Sequence, residues 1–380
     1  MNQELQLNST EFLLHIATVV LVFVCFLFAL FLLTKQSKNR LGNTFLGLFM
    51  IVRGIDATAL FYGYYIDLPL ILEVLRHDIG TFFQPPLLYL FVLSVVYSDF
   101  KLRRRYLWHA VPFLLSIVVM APRLYIPELM GNDATATMEL EVNIIYWMAA
   151  IQQIGYIIAV FVLLRKYKAL LLENYSVRYN YRWLYQMNII VITIFILASY
   201  KNIYKLVFWG DYGYVNELRL VVVIGMLLFN CWLVLKALYA PTLFSGIDSR
   251  LQLVSDQERL DKTEESEEVA SIILALKAYM IKDAPYLNPE LTIKDVAEAI
   301  TIKVTDLSII INHHLGQNFY EFISYYRIEK AKELLKSKAH RQLTVLEILY
   351  QVGYNSKSSF NTSFKKQTGL TPTDYRRQQQ

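Results

Sequence analysis

The residues best suited to reading a base sequence lie near the C-terminus, on one side of a predicted short helix. Phe360 and Phe364 recur at helical spacing and are expected to face inward. Asparagine can form two bonds with adenine, lysine can reach guanine or a phosphate, and threonine can touch a thymine methyl group. The pattern predicts a helix that enters the major groove of double-stranded DNA, with these side chains outward: Lys357, Ser358, Asn361, Thr362, Lys365 and Lys366.

Further candidate DNA contacts flank this helix along the chain. Lys303 lies in the turn before an earlier predicted helix, which runs over about 305–315, and Thr305 and Asp306 begin that helix. Arg376 follows the last turn signal. Residues 309–311 of that earlier helix are all isoleucine, and we expect Ile309 to face the groove. The first helix is therefore expected to contact DNA weakly or through apolar groups. The alternative is that Ile309 belongs to a protein contact.

Polar residues also interrupt the apolar N-terminal part of the chain, where they are costly and often functional. Arg53 and Asp56 are three residues apart, so they share a helix face and can form an ion pair. Gln84 precedes two prolines, which are expected to kink their helix, and Gln152 lies midway along another apolar segment. These four residues are the candidates for a ligand site, and the alternative is a structural ion pair with interhelical hydrogen bonds.

The elements that carry these residues differ sharply between the two parts of the chain. The 380 residues are 55% hydrophobic and 18% charged, against roughly 45–50% and 25% in soluble domains. About 20 apolar residues cross the hydrocarbon core of a bilayer. The sequence predicts seven such helices: 12–33, 46–66, 79–97, 108–121, 142–164, 187–208 and 218–238.

The loops between these segments alternate in basic charge, which orients the chain. The loops after the first, third and fifth segments hold 12 Lys or Arg, and the intervening loops, together with the adjoining ends of their segments, hold 5. Basic loops remain in the cytoplasm, so the N-terminus is expected outside and the C-terminal part inside. The first segment has no basic residue before it and is followed by a basic stop, which is unlike a cleavable signal peptide. We expect a multi-pass protein of the bacterial inner (cytoplasmic) membrane.

Three regions follow from this organisation. Residues 1–242 are predicted to form a seven-span sensor domain, and residues 243–268 an acidic linker that ends in a charged run. Residues 269–380 change to short helices with turn signals. The pattern predicts a first helix-turn-helix at about 292–316, a connecting helix at about 319–336 and a second helix-turn-helix at about 344–369. The fold class is thus all-α, with a seven-helix transmembrane domain followed by a cytoplasmic double helix-turn-helix domain.

Residues 270–378 resemble the AraC-type transcription regulators. The resemblance is carried by Leu291-Thr-x3-Val-Ala-Glu-Ala-Ile300, by Arg327-Ile-Glu-Lys-Ala-Lys-Glu-Leu-Leu335, by Ile348-x3-Val-Gly-Tyr-Asn-Ser-Lys-Ser-Ser-Phe-Asn361 and by Phe364-Lys-Lys-x2-Gly-Leu-Thr-Pro-x2-Tyr-Arg376. The arrangement behind several apolar segments is similar to membrane-bound members found in Bacteroidota. The sequence departs from the family at Ile309, where arginine is frequent, and at Leu349, where a small residue is frequent.

The resemblance implies a sequence-specific DNA-binding transcription regulator, most often an activator. We expect the membrane part to couple a membrane or periplasmic signal to this DNA binding. The partners expected are double-stranded DNA, the lipid bilayer, RNA polymerase, an unknown signal ligand and a second copy of the chain. No cofactor or metal is expected, and no nucleophile elbow or phosphate-binding glycine loop indicates an enzyme. The alternative is a membrane sensor or transporter whose cytoplasmic helical domain makes protein contacts.

Overall fold

The structure is a computed structural model, which describes residues 9–36, 39–62, 66–97, 99–130, 138–175, 182–207, 212–239, 267–337 and 342–379. Helices dominate the described ranges, in agreement with the all-α prediction. Within them one isolated antiparallel bridge pairs Tyr175 with Thr292. Most of the predicted acidic linker, 243–268, lies outside the described residues, and its last two positions belong to a helix.

Seven long helices account for the N-terminal part of the chain. They are α1 (Ser9–Thr34), α2 (Arg40–Ala57), α3 (Leu70–Val96), α4 (Val111–Met120), α5 (Glu139–Asn174), α6 (Arg182–Val207) and α7 (Tyr212–Tyr239). A 3-10 segment, Arg104–Ala110, precedes α4, and a π-helical turn, Ala121–Tyr125, and a last turn, Ile126–Leu129, follow it. With these extensions, seven helices in the described chain are long and apolar enough to cross a membrane, judged by length and composition.

The largest differences between the helix bounds and the predicted segments are in three helices. α3 begins at Leu70 rather than at residue 79, and it stays helical through Pro85 and Pro86. α2 gives way to a 3-10 turn at Thr58 instead of reaching residue 66. α5 continues ten residues beyond the predicted end at 164, to Asn174. Charged residues near the start of α3 and the end of α5 lower the local hydropathy, so the predicted segments stop short of both ends. The residues after α2 are mostly apolar or aromatic, so the pattern extends the second segment beyond that helix.

α1 shows how the apolar helices are arranged. One side of α1, which includes Leu21 and Cys25, is buried against α2 and α7. The other side keeps large apolar groups exposed, among them Phe23, Leu27 and Leu30, each more than half exposed. An apolar helix surface of this kind is typical of helices that face lipid.

The C-terminal part consists of seven shorter helices. They are α8 (Glu267–Lys282), α9 (Ile293–Ala299), α10 (Val304–Ile309), α11 (Phe319–Lys336), α12 (Val345–Gln351), α13 (Lys357–Thr368) and α14 (Pro372–Gln379). Reciprocal capping boxes begin α9, α11 and α12, in which a Thr or Asn and an acidic residue three positions later bond each other's backbone. One helix differs from its prediction. The segment predicted as a single helix over 305–315 consists of the short α10 and a π-helical turn, Ile310–His314.

Two hydrophobic cores lie on successive parts of α11. Phe319, Phe322 and Ile323 pack into the core of the first helix-turn-helix, which also holds Leu276 from α8. The core of the second helix-turn-helix holds Ile328, Ala331 and Leu335 of α11, together with residues of α12, α13 and α14. Because both cores share one continuous helix, α11 fixes the orientation of each unit relative to the other.

The chain divides into two compact units, and the division falls within α5. The first unit contains α1–α4, α6, α7 and α5 up to Leu164. The second contains α5 from Arg165 onward and α8–α14. Tyr167, Leu170 and Leu171 of this last part of α5 are buried, and the bridge of Tyr175 to Thr292 lies inside the second unit.

Candidate nucleic-acid interface

α13 presents an outward surface with the chemistry of a DNA-reading helix. Lys357, Ser358, Thr362 and Lys365 are exposed, and Asn361 is half-buried. Phe360, Ser363 and Phe364 on the opposite side are buried. At 100° per residue, the outward side chains therefore cover about half of the helix circumference, which suits a helix lying in a groove about 12 Å wide.

Contacts from α11 hold α13 in place. The hydroxyl groups of Tyr320 and Ser363 lie 3.1 Å apart in a buried hydrogen bond. Lys366 Nζ contacts Glu321 Oε1 at 2.6 Å, so the positive charge of Lys366 is partly neutralised within the protein. Lys357 and Lys365 have no ion pair in the described residues. Of the three predicted lysine contacts on α13, these two are the better placed to attract phosphates.

The turn between α12 and α13 depends on a glycine and a buried arginine. Gly353 has φ +85°, and a Cβ at this position would lie 2.6 Å from the Tyr286 carbonyl oxygen. The same carbonyl accepts a hydrogen bond from Arg327 Nε at 2.7 Å, and Arg327 Nη2 donates to the Asn288 carbonyl at 2.8 Å. Arg327 of α11 therefore connects the segment before α9 to the turn of the second helix-turn-helix.

The environment of Arg327 is apolar and aromatic. Its guanidinium lies 5.4 Å from the centre of the Tyr354 ring. Burial lowers the pKa of Arg327 to about 10 and raises the pKa of Tyr354 to about 12. At neutral pH the arginine remains charged and the phenol neutral, so the cation–π contact and both hydrogen bonds are retained. Arg327 stands in one of the motifs quoted above, but the motif alone does not indicate these contacts.

The first helix-turn-helix offers a smaller and more mixed surface. Lys303, Thr305 and Asp306 are exposed, and the Thr305 hydroxyl donates to the Asp306 carboxylate at 3.3 Å. Ile310 and Ile311 are buried, and Ile309 is half-buried. The isoleucine run is therefore largely core, because the π-helical turn directs Ile311 into the hydrophobic cluster of this unit. Only part of Ile309 is available to a groove or a protein.

Arg376 lies in α14 and is half-buried. Its Nη2 atom is buried and has no hydrogen-bond partner in the described residues. Its predicted role at DNA stays a prediction, like the roles of the other candidate residues on α10 and α13.

The polar residues of the N-terminal unit form a different arrangement from the predicted one. Asp56 does not pair with Arg53; it contacts Arg76 Nη1 at 3.4 Å and His77 Nδ1 at 3.7 Å. Gln84 Nε2 donates to Asp56 Oδ2 at 3.4 Å. The carboxylate fits because Gly80 of α3 has no side chain: a Cβ there would lie 2.5 Å from the carboxyl carbon.

The remaining two candidates lie apart from this cluster. Arg53 is buried between the rings of Phe49 and Phe229, at 5.5 and 5.7 Å from their centres. Gln152 donates to the Phe82 carbonyl at 3.0 Å, as an interhelical hydrogen bond does. Across the described ranges, no three His, Cys, Asp or Glu side chains are placed to hold a metal ion.

Comparison with known proteins identifies the C-terminal part. A helix-turn-helix domain family matches residues 288–378. Two similar proteins are the uncharacterized HTH-type transcriptional regulator YtdP of Bacillus subtilis, 35% identical over 89 residues, and the transcriptional activator RhrA of Rhizobium meliloti, 31% identical over 90 residues. These alignments cover 23% and 24% of this chain, and 11% and 28% of the relatives.

One solved structure is also similar to this part of the chain. It is the C-terminal domain of AraT, a response regulator from Geobacillus stearothermophilus, with 32% identity and a TM-score of 0.25; the match covers 30% of this chain and 88% of that one. The chain spans less than a third of the length of the curated relatives named here. The matches indicate a transcription regulator's domain rather than an enzyme. A putative AraC-like transcription regulator of Streptomyces lividans is 30% identical over 86 residues, which are 23% of this chain and 27% of that protein. Residues 288–378 thus form a helix-turn-helix domain of the AraC type, the sequence-specific DNA-binding part of a transcription regulator.

Proposed function

We infer that the whole chain is a membrane-embedded transcription regulator that couples a signal at the membrane or outside it to sequence-specific DNA binding. One observation carries this proposal. A single chain holds seven helices of membrane-spanning length and composition, followed by a helix-turn-helix domain of the AraC type. Regulation by a signal needs both a site that senses and a site that binds DNA, and the two units of the chain supply one candidate for each.

In this proposal α13 reads the bases. Asn361 bonds an adenine edge, Ser358 and Thr362 contact neighbouring bases, and Lys357 and Lys365 bond guanine or phosphate oxygens. α10 mainly fixes the position of the domain along the duplex, because Lys303 and Thr305 can contact phosphates. Asp306 repels phosphates, and its carboxylate can instead accept a hydrogen bond from cytosine. α11 holds the two helices at a fixed separation along the duplex.

The regulator acts as an activator in this proposal, and RNA polymerase is its partner at the promoter. A second copy of the chain bound through the membrane part would place two DNA-binding domains near each other and raise their effective concentration. The inner membrane orientation predicted from the loops puts the DNA-binding domain in the cytoplasm, where its target is. The RhrA protein, named a transcriptional activator, is similar over 24% of this chain.

The competing function, a sensor whose C-terminal domain contacts proteins, has less support. Its main basis was the isoleucine run at residues 309–311, and two of those three isoleucines, Ile310 and Ile311, are core residues. An exposed arc of lysine, serine, asparagine and threonine on α13 suits DNA better than it suits a protein interface, whose centre is usually apolar or aromatic.

The proposal is tested with the full chain in lipid nanodiscs and a pool of random DNA duplexes. We expect repeated selection to enrich one motif, and the affinity for it to fall as salt rises. The double variant Asn361→Ala, Lys357→Ala should lose the enrichment. Lys330→Ala is the matched control, since Lys330 on α11 is partly exposed and pairs with Glu333. A well-folded protein that enriches no motif would refute DNA reading and favour protein contacts.

The membrane part of the proposal needs a separate measurement. A reporter enzyme that works only in the cytoplasm should be active when it is fused after α7. A reporter enzyme that works only outside the cytoplasm should be active when it is fused after α2. Extraction of cell membranes at alkaline pH should leave the chain in the pellet. Release of the full-length chain into the supernatant would refute membrane insertion without bearing on DNA binding.

A further inference from the structure

A cavity of about 800 Å³ opens among α3, α4, α5, α6 and α7. Small-molecule sites usually occupy roughly 300–1,000 Å³, so the cavity is large enough for an organic ligand. Its walls are mainly apolar and include Val74, Met120, Ile145 and Phe195. Of the four residues predicted for a ligand site, only Gln84 lines it, and Asp56 lies directly behind through its contacts to Arg76 and His77.

One wall of the cavity carries a carboxylate with one unsatisfied oxygen. Asp78 of α3 lines the cavity, is only 1% exposed, and its Oδ2 atom has no hydrogen-bond partner in the described residues. Buried polar atoms in folded proteins are nearly always hydrogen-bonded. An ionisable residue inside a helical membrane bundle is also costly unless it is used. A donor supplied from within the cavity would satisfy Asp78.

The balance of charge on the lining favours a positive donor. Arg76 is already engaged by Asp56, to whose carbonyl and carboxylate it is bound. Glu73 and Asp78 then face one remaining arginine, Arg219, which donates to Asn216. His77 also contacts Asp56, at 3.7 Å, so both bases next to Asp78 on α3 face Asp56 instead. Among the described residues Asp78 has no ion pair, and one protonated amino group would supply it.

The position of the cavity along the helices fits an external ligand. The lining residues of α3, α5 and α7 lie in the first halves of these helices, and those of α4 and α6 lie toward the ends. Successive spans run in opposite directions. Under the orientation predicted from the loop charges, all five helices therefore contribute the portions nearer the outside.

We propose that this cavity binds an amphipathic amine, whose protonated amino group pairs with Asp78 and whose apolar body packs on Val74, Met120 and Ile145. That this amine is the signal of the regulator rests on the proposed function. The binding step does not, because it concerns the N-terminal unit by itself.

Three probes with one apolar body test the head group. They are 2-(1-naphthyl)ethylamine, 2-(1-naphthyl)ethanol and 1-naphthylacetate, titrated by calorimetry into the full chain in nanodiscs, with empty nanodiscs subtracted. We expect the amine to bind about tenfold more tightly than the alcohol or more, and the acid to bind least, since loss of one buried charge pair commonly costs tenfold or more in affinity. Equal binding of the three probes, or no binding of the amine, would overturn the proposal.

Variants locate the site. Asp78→Asn should lower amine affinity about tenfold or more and leave the alcohol nearly unchanged. Ala149→Leu, which fills part of the cavity without touching the carboxylate, should weaken all probes. Glu139→Gln is the control, because Glu139 is an exposed carboxylate on α5 outside the lining. Unchanged amine binding in both cavity variants, or a preference for the acid that Arg219→Gln abolishes, would overturn the proposal. The DNA selection is carried out without any amine. A failure of amine binding therefore leaves the test of DNA binding intact, and a failure of motif enrichment leaves the test of amine binding intact.

Discussion

Replacement of Gly353 by alanine should destabilise the DNA-binding domain far more than the same change at Gly369. Both glycines have positive φ, +85° and +76°, so alanine costs each about 1–2 kcal/mol of backbone strain. The space around them differs. Nothing lies within 4 Å of a Cβ at Gly369, whereas at Gly353 it meets the carbonyl oxygens of Tyr286 and Leu287 at 2.6 and 2.8 Å.

The extra cost at Gly353 follows from what those carbonyls do. They must move by several tenths of an ångström, and overpacking of this kind costs about 1–3 kcal/mol. The movement also lengthens the hydrogen bond from Arg327 Nε to the Tyr286 carbonyl, and bonds to charged groups contribute about 1.5–3 kcal/mol. We expect a total of about 3–5 kcal/mol for Gly353→Ala, since only part of that bond is lost.

The measurement is urea unfolding of residues 267–380, followed by far-UV circular dichroism. This segment contains every buried residue of both C-terminal cores. With an m-value of about 1–2 kcal/mol per molar urea, the two variants should differ in midpoint by roughly 1 M or more. Gly316→Ala, at φ +65° with nothing within 4 Å, should match Gly369→Ala. A Gly353→Ala midpoint equal to those of the two controls would refute the reasoning.

Three further predictions concern the same domain. Lys365→Ala should reduce the slope of log affinity against log salt by about one, while Lys366→Ala should reduce it less because Lys366 already pairs with Glu321; filter binding to the selected duplex measures both. Arg327→Met should destabilise the segment by about 2–4 kcal/mol in urea, since it leaves the Tyr286 and Asn288 carbonyls without their donor. Hydrogen bonds from Thr344 hold the pKa of Glu347 below its ordinary value, so its contribution is present above the unfolded pKa of about 4.3 and is lost as pH falls through the lower folded pKa. Wild type should therefore lose more stability than Glu347→Gln between pH 7 and pH 3, and equal losses would contradict this.

The sequence signals for the helices of the second helix-turn-helix are local. The capping pair at Thr344 and Glu347, the glycines at 353 and 369 and the spacing of Phe360 and Phe364 all act within a few residues. The π-helical turn at Ile310–His314 was not predicted. An apolar run carries no local sign of such a turn, which depends on packing of Ile311 in the core.

The contacts of Asp56 with Arg76 and His77 were not predicted, because they depend on how two helices approach each other and not on local sequence signals. Arg76, His77 and Asp78 stand in succession, and their low hydropathy placed the start of the predicted segment after them, whereas α3 begins at Leu70. Which acid pairs with which base depends on the approach of α2 to α3 at Gly80, a tertiary fact. The sequence also cannot show that Asp78 Oδ2 lacks a hydrogen-bond partner, because this depends on where all the surrounding donors lie in the folded protein.

α5 is one uninterrupted helix of 36 residues, about 54 Å long at 1.5 Å per residue. Its first part lines the cavity at Val142, Ile145 and Gln153, and the residue after its end, Tyr175, bridges Thr292, the capping residue of α9. If ligand binding changes DNA affinity through this helix by some factor, thermodynamic linkage requires DNA to change ligand affinity by the same factor. The promoter would then act as an effector of the receptor, and a cell with more operator copies would respond at a different signal concentration.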